Sequence, residues 1–299
     1  MTTQESPMKI KALAPYLGGK RNLAPAIIEM LGLHSVYWEP FCGSMAVLFA
    51  KEPCRMETVN DLYGDLINLA RIIQDPQTAV MLYDRLYRTL MHEQLFIEAA
   101  AKCRRRGYYE SVGDPDIQRA YEFFVASWLG RNGMTGCKTY TWTYCARYTP
   151  NGGHSGKRWR SVIESIPAWH KRLLQVTILQ KDAFDILQKI HDSTGTAIYV
   201  DPPYIEKNAE YIHDLDMEKQ EELAHLLARF KRARVVVSFY QHPELQRLYS
   251  GWYGTEITVS KAIAHQNSRG ANKTTAIEVL LCNQPIEALP GQKALFGEQ

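Results

Sequence analysis

The apolar run at Ala197–Asp201 ends in a carboxylate, and Pro202, Pro203 and Tyr204 follow it directly. A strand ending this way puts an acid, an extended proline turn and an aromatic ring at the carboxyl edge of a sheet. Open α/β sheets bind their ligands at that edge. The four residue types suit methylation of an exocyclic amine. Such a nitrogen is a poor nucleophile because its lone pair is delocalised into the ring. A carboxylate accepting one N–H, with a backbone carbonyl accepting the other, draws the nitrogen toward tetrahedral geometry and localises the pair. Proline fixes φ and lacks an N–H, so it holds that carbonyl rigidly. Tyrosine offers a face on which an extruded base can stack. Over these four residues alone, a strand followed by a plain proline turn would read the same.

Two further motifs precede it. Trp38-Glu39-Pro40-Phe41-Cys42-Gly43-Ser44 reads as a strand entering a tight turn, and a strand-end acid with a glycine turn can hold a nucleoside cofactor. Asn60-Asp61 is a second strand-end acid, placed either for a ribose diol or as a helix cap. Tyr16-Leu17-Gly18-Gly19-Lys20 lets backbone approach a ligand closely and sets a cation beside it. It lacks the spacing of a phosphate loop.

These residues need a sheet to hold them. Short β-branched or apolar runs occur at Val36–Glu39, Glu57–Asn60, Gln175–Gln180, Ala197–Asp201, Val235–Ser238, Glu256–Lys261 and Ala276–Asn283. Helical text between them, at Leu62–Ile73 and at Asp216–Phe230 with Asp216 as N-cap, implies an α/β sheet that is mostly parallel. The last two runs are joined by a loop without helical signal, so they should form an antiparallel edge hairpin. The stretch from Thr78 to Trp169 breaks the alternation. Leu82, Leu86 and Leu90 recur at helical spacing. Asp114-Pro115 reads as an N-cap with a proline at the first helical position, ahead of a core stripe from Ile117 to Trp128. Glycine-rich loop text follows Gly130.

The net charge of +3 is uninformative, but its distribution is not. Lys102–Arg172 holds 13 basic and 5 acidic residues and so carries +8, leaving −5 for the rest. The same segment contains 12 of the 32 aromatic residues, among them Trp128, Tyr140, Trp142, Tyr144, Tyr148 and Trp159. Cations for phosphates interleaved with rings for bases make a nucleic-acid composition, although several of the rings must be core. The six cysteines show no paired spacing, so neither a zinc site nor any other metal centre nor a disulfide framework is expected. No signal peptide or membrane span is read from the sequence, and a cytoplasmic setting, on a bacterial nucleoid or phage-encoded, is expected.

The ordered set resembles the Dam-like family of S-adenosylmethionine-dependent DNA adenine-N6 methyltransferases. It comprises Tyr-Leu-Gly-Gly-Lys, Glu-Pro-Phe-Cys-Gly, Asn-Asp-Leu-x-x-Asp-Leu-Ile-Asn, a basic insert and Asp-Pro-Pro-Tyr, over roughly 14–283. The resemblance implies an α/β fold with a Rossmann-like methyltransferase sheet, mostly parallel with one antiparallel edge hairpin, and a helical target-recognition insert. The catalytic domain would then be 1–77 with 170–290, the insert 78–169 and a tail 291–299. Tyr16, Leu17, Gly18, Gly19 and Lys20 would meet the cofactor or its carboxylate, and Glu39, Pro40, Phe41 and Gly43 would form its turn. Asp61 would take the ribose hydroxyls, and Asp182 and Ala183 would sit by the adenine. Asp201 would serve both cofactor and catalysis, with Pro202, Pro203 and Tyr204. Arg131, Asn132, Met134 and Thr135 resemble the recognition loop and Lys157 and Arg158 a phosphate-facing turn. Lys138, Thr139 and Arg269 join these as DNA contacts. Three places depart from the family pattern. Met45 stands where a second glycine belongs, Met134 and Thr135 replace an aromatic and an asparagine, and Phe239-Tyr240-Gln241 follows Ser238.

The expected activity is methylation of adenine N6 in double-stranded DNA by base flipping, site-specific, as a solo enzyme or beside a separate restriction enzyme. The alternatives are cytosine-N4 or RNA-adenine methylation, or a catalytically silent DNA-binding regulator. The tail Gln292-Lys293-Ala294-Leu295-Phe296 resembles peptides that dock on a replication sliding clamp, although Leu295 and Phe296 packing on their own domain is the reading favoured over it. Target sequence and oligomeric state stay open.

Overall fold

The computed structural model describes residues 11–16, 18–107, 110–130, 144, 148–149, 153–205, 215–260 and 275–285, with backbone alone at 148–149, 153–154 and 260. Seven strands make one mixed sheet: β1 (Val36–Glu39), β2 (Met56–Asn60), β3 (Val176–Leu179), β4 (Thr196–Val200), β5 (Arg234–Tyr240), β6 (Tyr253–Ser260) and β7 (Thr275–Cys282). Their order is β3-β2-β1-β4-β5-β7-β6. The pairs β2–β3, β1–β4 and β4–β5 are parallel, while β7 runs antiparallel to both β5 and β6. This is the expected Rossmann-like sheet with its antiparallel edge hairpin. β4 is buried along its whole length, as a central parallel strand covered on both faces must be.

By compactness the chain forms two units. One contains β2, β3 and the helices α2 (Ala46–Ala50), α3 (Gly64–Gln74), α4 (Pro76–Tyr87), α5 (Glu93–Arg106), α6 (Ile117–Leu129), α7 (Ser155–Ile163) and α8 (Ile166–Leu173). The other contains β1 and β4–β7 with the helices α10 (Met217–Ala228) and α11 (Glu244–Leu248), and α9 (Ala183–Lys189) starts at the division. Helix α1 (Ala24–Leu31) also starts there. Among the described residues, no helix is long and apolar enough to cross a membrane.

In the first unit, α6 is buried continuously from Arg119 to Leu129 and packs on α3, α4 and α5. An all-round buried helix needs apolar or paired residues on every face. Phe123 meets Tyr63 edge-on at 5.4 Å, and Phe124 meets Trp159 at 5.7 Å. Trp128 stacks on Trp169 at 6.5 Å and donates from its indole to the Leu13 carbonyl at 3.0 Å. The charged residues of α6 are paired: Arg119 bonds Asp65 at 2.6 Å, and Glu122 accepts from Lys102 at 2.8 Å and from Arg106.

The structure corrects three sequence readings here. Asp116, rather than Asp114, caps α6, accepting from the Gln118 and Arg119 N–H groups at 2.8 and 3.0 Å. Asn68 fixes that choice by bonding both the N–H and the carbonyl of Asp116. Leu90 does not continue the Leu82 and Leu86 stripe: α4 ends at Tyr87, and Leu90 is 76% exposed. Trp159, counted with the rings of a nucleic-acid composition, is a core ring and adds nothing to such a surface, while Trp128 is core as its place in the stripe from Ile117 predicts.

Candidate active site

In the second unit, β4 delivers Asp201 immediately beyond its last residue, Val200. Two hydroxyls converge on one carboxylate oxygen, Oδ1: Ser238 from β5 at 2.8 Å and Tyr204 at 3.2 Å. Ser238 also lies 2.9 Å from the Tyr199 hydroxyl, on β4 itself. Burial, and then the nearby Asp201 charge, push the Tyr199 phenol well above its ordinary pKa, so it stays protonated. Tyr204 reaches Glu278 of β7 at 3.4 Å, and its ring lies edge-on to Tyr240 at 4.6 Å and against Phe239 at 5.8 Å. At 4% exposure, the Tyr204 ring could stack on a base only after its cover moves. The turn itself is braced: the Pro203 carbonyl accepts from Gln220 of α10 at 2.7 Å. Glu39 ends β1 in the same unit, buried, and accepts from the Tyr37 hydroxyl at 2.9 Å. Pro40 follows it as the last residue of that stretch.

In the first unit, the Phe41–Met45 turn is tied down by the end of β2. The Cys42 N–H donates to the Asn60 carbonyl at 2.8 Å, and the Gly43 N–H donates to Asp61 Oδ2 at 2.8 Å. Asp61 Oδ1 accepts from the Tyr63 N–H at 2.9 Å, so Asp61 shapes the turn rather than capping α3. Gly43 has φ +44°, and a Cβ there would meet the Tyr16 ring at 3.4 Å. A Cβ on Gly19 would come within 3.1 Å of the Tyr16 carbonyl. Lys20 is buried, with its ammonium donating to the Gly18 carbonyl at 2.7 Å. Asp182 directly precedes α9, which begins at the buried Ala183.

The Asn-Asp-Leu-x-x-Asp-Leu-Ile-Asn motif is largely structural. Asn60 bonds both the carbonyl and the N–H of Lys181 at 2.9 and 2.8 Å. Asp65, fully buried, receives Arg106 and Arg119 from α5 and α6. The sequence signal for Asp65 is its polarity, an acid inside the otherwise largely apolar helix α3. Ser238, in the apolar text Val235-Val236-Val237-Ser238-Phe239, carried the same signal, but its link to Asp201 required the fold. Lys157 is exposed and Arg158 half-buried, with its guanidinium 5.4 Å from the Trp128 ring centre. Both lie in the first turn of α7, not in a loop. Leu17, Arg131, Asn132, Met134, Thr135, Lys138, Thr139, Arg269 and the tail 292–296 lie outside the described residues.

A family model for D12 class N6 adenine-specific DNA methyltransferases matches residues 16–266, which include parts of both units and run from Tyr16 past Asp201-Pro202-Pro203-Tyr204. The chain belongs to this D12 class. It methylates adenine N6 in DNA, with S-adenosylmethionine as the methyl donor. That acceptor decides against the cytosine-N4 and RNA-adenine alternatives. No curated protein matches the D12 chain significantly in sequence.

Among solved structures, precorrin 8w decarboxylase from Methanobacterium thermoautotrophicum is 13% identical, covering 88% of this chain and 90% of its own, with a TM-score of 0.35. SMU.472, a proposed methyltransferase complexed with SAH, is 12% identical, covering 88% of this chain and 52% of its own, with a TM-score of 0.34. Superpositions this weak add nothing to the family match. Within the first unit, the Phe41–Met45 turn held by Asp61, with Gly19 and Gly43 where a Cβ would meet Tyr16, is backbone that a nucleoside can approach closely.

Proposed function

We propose that this methyltransferase acts on double-stranded DNA and extrudes the target adenine, bringing N6 to Asp201 and the Pro202 carbonyl. The observation that carries this reading is the Asp201 carboxylate beyond β4, its Oδ1 held by two hydroxyls. A carboxylate held in this way can accept one amine N–H in a fixed direction while the proline carbonyl takes the other. The nitrogen lone pair is then freed from the ring and pointed along the line of transfer. S-Adenosylmethionine, when bound, supplies a methyl group already activated on a sulfonium. Asp61 takes the ribose hydroxyls, Glu39, Phe41 and Gly43 form the turn around the donor, and Tyr16, Gly18, Gly19 and Lys20 close it. Asp182 and Ala183 border the adenine. Tyr204 keeps Asp201 in place through its hydroxyl, and its ring becomes available to the base when its cover is displaced. Lys157 and Arg158 serve phosphates from the start of α7.

Asp201→Ala should abolish transfer of tritiated methyl to DNA while donor binding, followed by calorimetry, persists. Transfer at a near-normal rate would remove Asp201 from the mechanism. Once modified-base sequencing has located the target, a duplex with 2-aminopurine at that position should brighten on binding. An unchanged signal would count against extrusion.

A further inference from the structure

Ser238 is a buried serine in the centre of a sheet, where the run before it is valine. A hydroxyl in that position costs stability unless it is bonded, and here it is bonded twice. Its Oγ lies 2.8 Å from Asp201 Oδ1 and 2.9 Å from the Tyr199 hydroxyl. Serine has a single proton to give. A carboxylate can only accept, so that proton goes to Asp201. The bond to Tyr199 must then run the other way, with the phenol donating to the serine oxygen. The burial that keeps Tyr199 protonated secures this direction. The donors come from rigid ground: Tyr199 on β4 sits opposite Val236 of β5, two residues before Ser238. Tyr204 has one proton for two carboxylates, Asp201 Oδ1 at 3.2 Å and Glu278 at 3.4 Å, and given to the nearer it is a second donor to the same Oδ1.

We propose that Ser238, ordered by Tyr199, is a positioning residue for methyl transfer, fixing the rotation of the Asp201 carboxylate so that it meets the target amine squarely. The chain of donors runs from Tyr199 through Ser238 to Asp201, and neither hydroxyl needs to touch substrate. The inference rests on the reading that Asp201 orients the amine.

The full-length enzyme, assayed for methyl transfer to DNA with donor binding measured separately, tests it. Ser238→Ala should lower kcat about ten- to a hundred-fold, the range for losing one hydrogen bond to a charged group. KM for donor and for DNA should stay at the wild-type values. Ser238→Thr, which keeps the hydroxyl, should restore most of the rate. Tyr199→Phe should give a smaller fall in kcat, and no additional fall when Ser238 is already alanine. A wild-type kcat in Ser238→Ala overturns the proposal. So does a loss expressed in KM, or a Tyr199→Phe effect that simply adds to that of Ser238→Ala. If Ser238→Ala does not fold, Tyr199→Phe and Ser238→Thr still decide: wild-type turnover in Tyr199→Phe, or a threonine variant that folds but is slow, overturns it. Should Asp201→Ala transfer methyl normally, the reading of Asp201 fails. If Asp201→Ala is inactive while Ser238→Ala is normal, only the positioning role fails.

Discussion

Met45 shows how one residue can depart from a family pattern without changing the backbone that the pattern serves. The sequence put the local path in doubt because methionine stands where a glycine is expected. The backbone at Met45 adopts φ 59° and ψ 31°, and it is the single non-glycine with positive φ among the described residues. The chain thus takes the left-handed step that a glycine would take and enters α2 from it. For a side chain with a Cβ that step costs about 1–2 kcal/mol. Full burial of the methionine, worth about 1.5–3 kcal/mol, offsets it. Two substitutions separate the terms. Met45→Ala removes the buried atoms and keeps the strain, so it should lose about 2–5 kcal/mol. Met45→Gly removes one carbon more, the Cβ, but relieves the strain, and should unfold at a denaturant midpoint between those of alanine and wild type. An alanine variant as stable as the glycine variant would contradict the strain argument.

At the scale of elements, the buried charges act as clamps between them. Glu57 on β2 accepts from Arg172 of α8 at 2.8 Å and from Lys51, which follows α2. Arg172 also donates to the Leu48 carbonyl at 3.1 Å, so a single guanidinium joins β2, α2 and α8. Burial alone would raise the Glu57 carboxyl, but hydrogen bonds from Arg172 and Lys51 outweigh it and hold the pKa below the ordinary 4.5. A carboxylate lowered by folding stabilises the native state above the unfolded pKa. That stability disappears as pH falls through the lower, folded value. Wild-type Tm should therefore drop as pH falls below about 4.5. Glu57→Gln should be less stable at pH 7 by about 3–5 kcal/mol, because two buried cations then face a neutral amide. Its Tm should also fall less steeply in acid. Parallel melting curves from pH 7 to pH 3 would show the clamp to be unimportant if the two slopes agreed.

For the whole molecule, charge and aromatic content proved to be separate signals. The basic excess between Lys102 and Arg172 divides by role: Arg106, Arg119 and Arg172 neutralise buried carboxylates, whereas Arg104, Arg105, Lys157 and Arg160 are exposed. Only the exposed group can release counterions on meeting DNA. On the proposed reading, Lys157→Ala should weaken binding similarly for every duplex sequence. It should also flatten the plot of log K against log salt by about 0.9, the contribution of one phosphate contact. An unchanged slope from fluorescence anisotropy at several salt concentrations would remove Lys157 from the interface.

The sequence by itself determined the alternation of strands and helices, the antiparallel edge hairpin and the ordered motifs, because each depends on short-range pattern. Strand period, turn residues and a carboxylate ending an apolar run are all local. The run Val36–Glu39 coincides with β1, and Asp216 caps α10 as read, accepting from the Lys219 N–H at 2.9 Å. Only the tertiary structure decided what each polar side chain meets. Asp114 and Asp116 are equivalent as caps until Asn68, 48 residues away in sequence, bonds the backbone of Asp116. Trp159 looks like a base-stacking ring until α7 packs on α6 and buries it against Phe124. Ser238 looks like a break in a valine strand until β4 and β5 lie side by side. Hydrogen bonds and ring packing are satisfied between elements distant in sequence, and no local pattern encodes which partner the fold will supply.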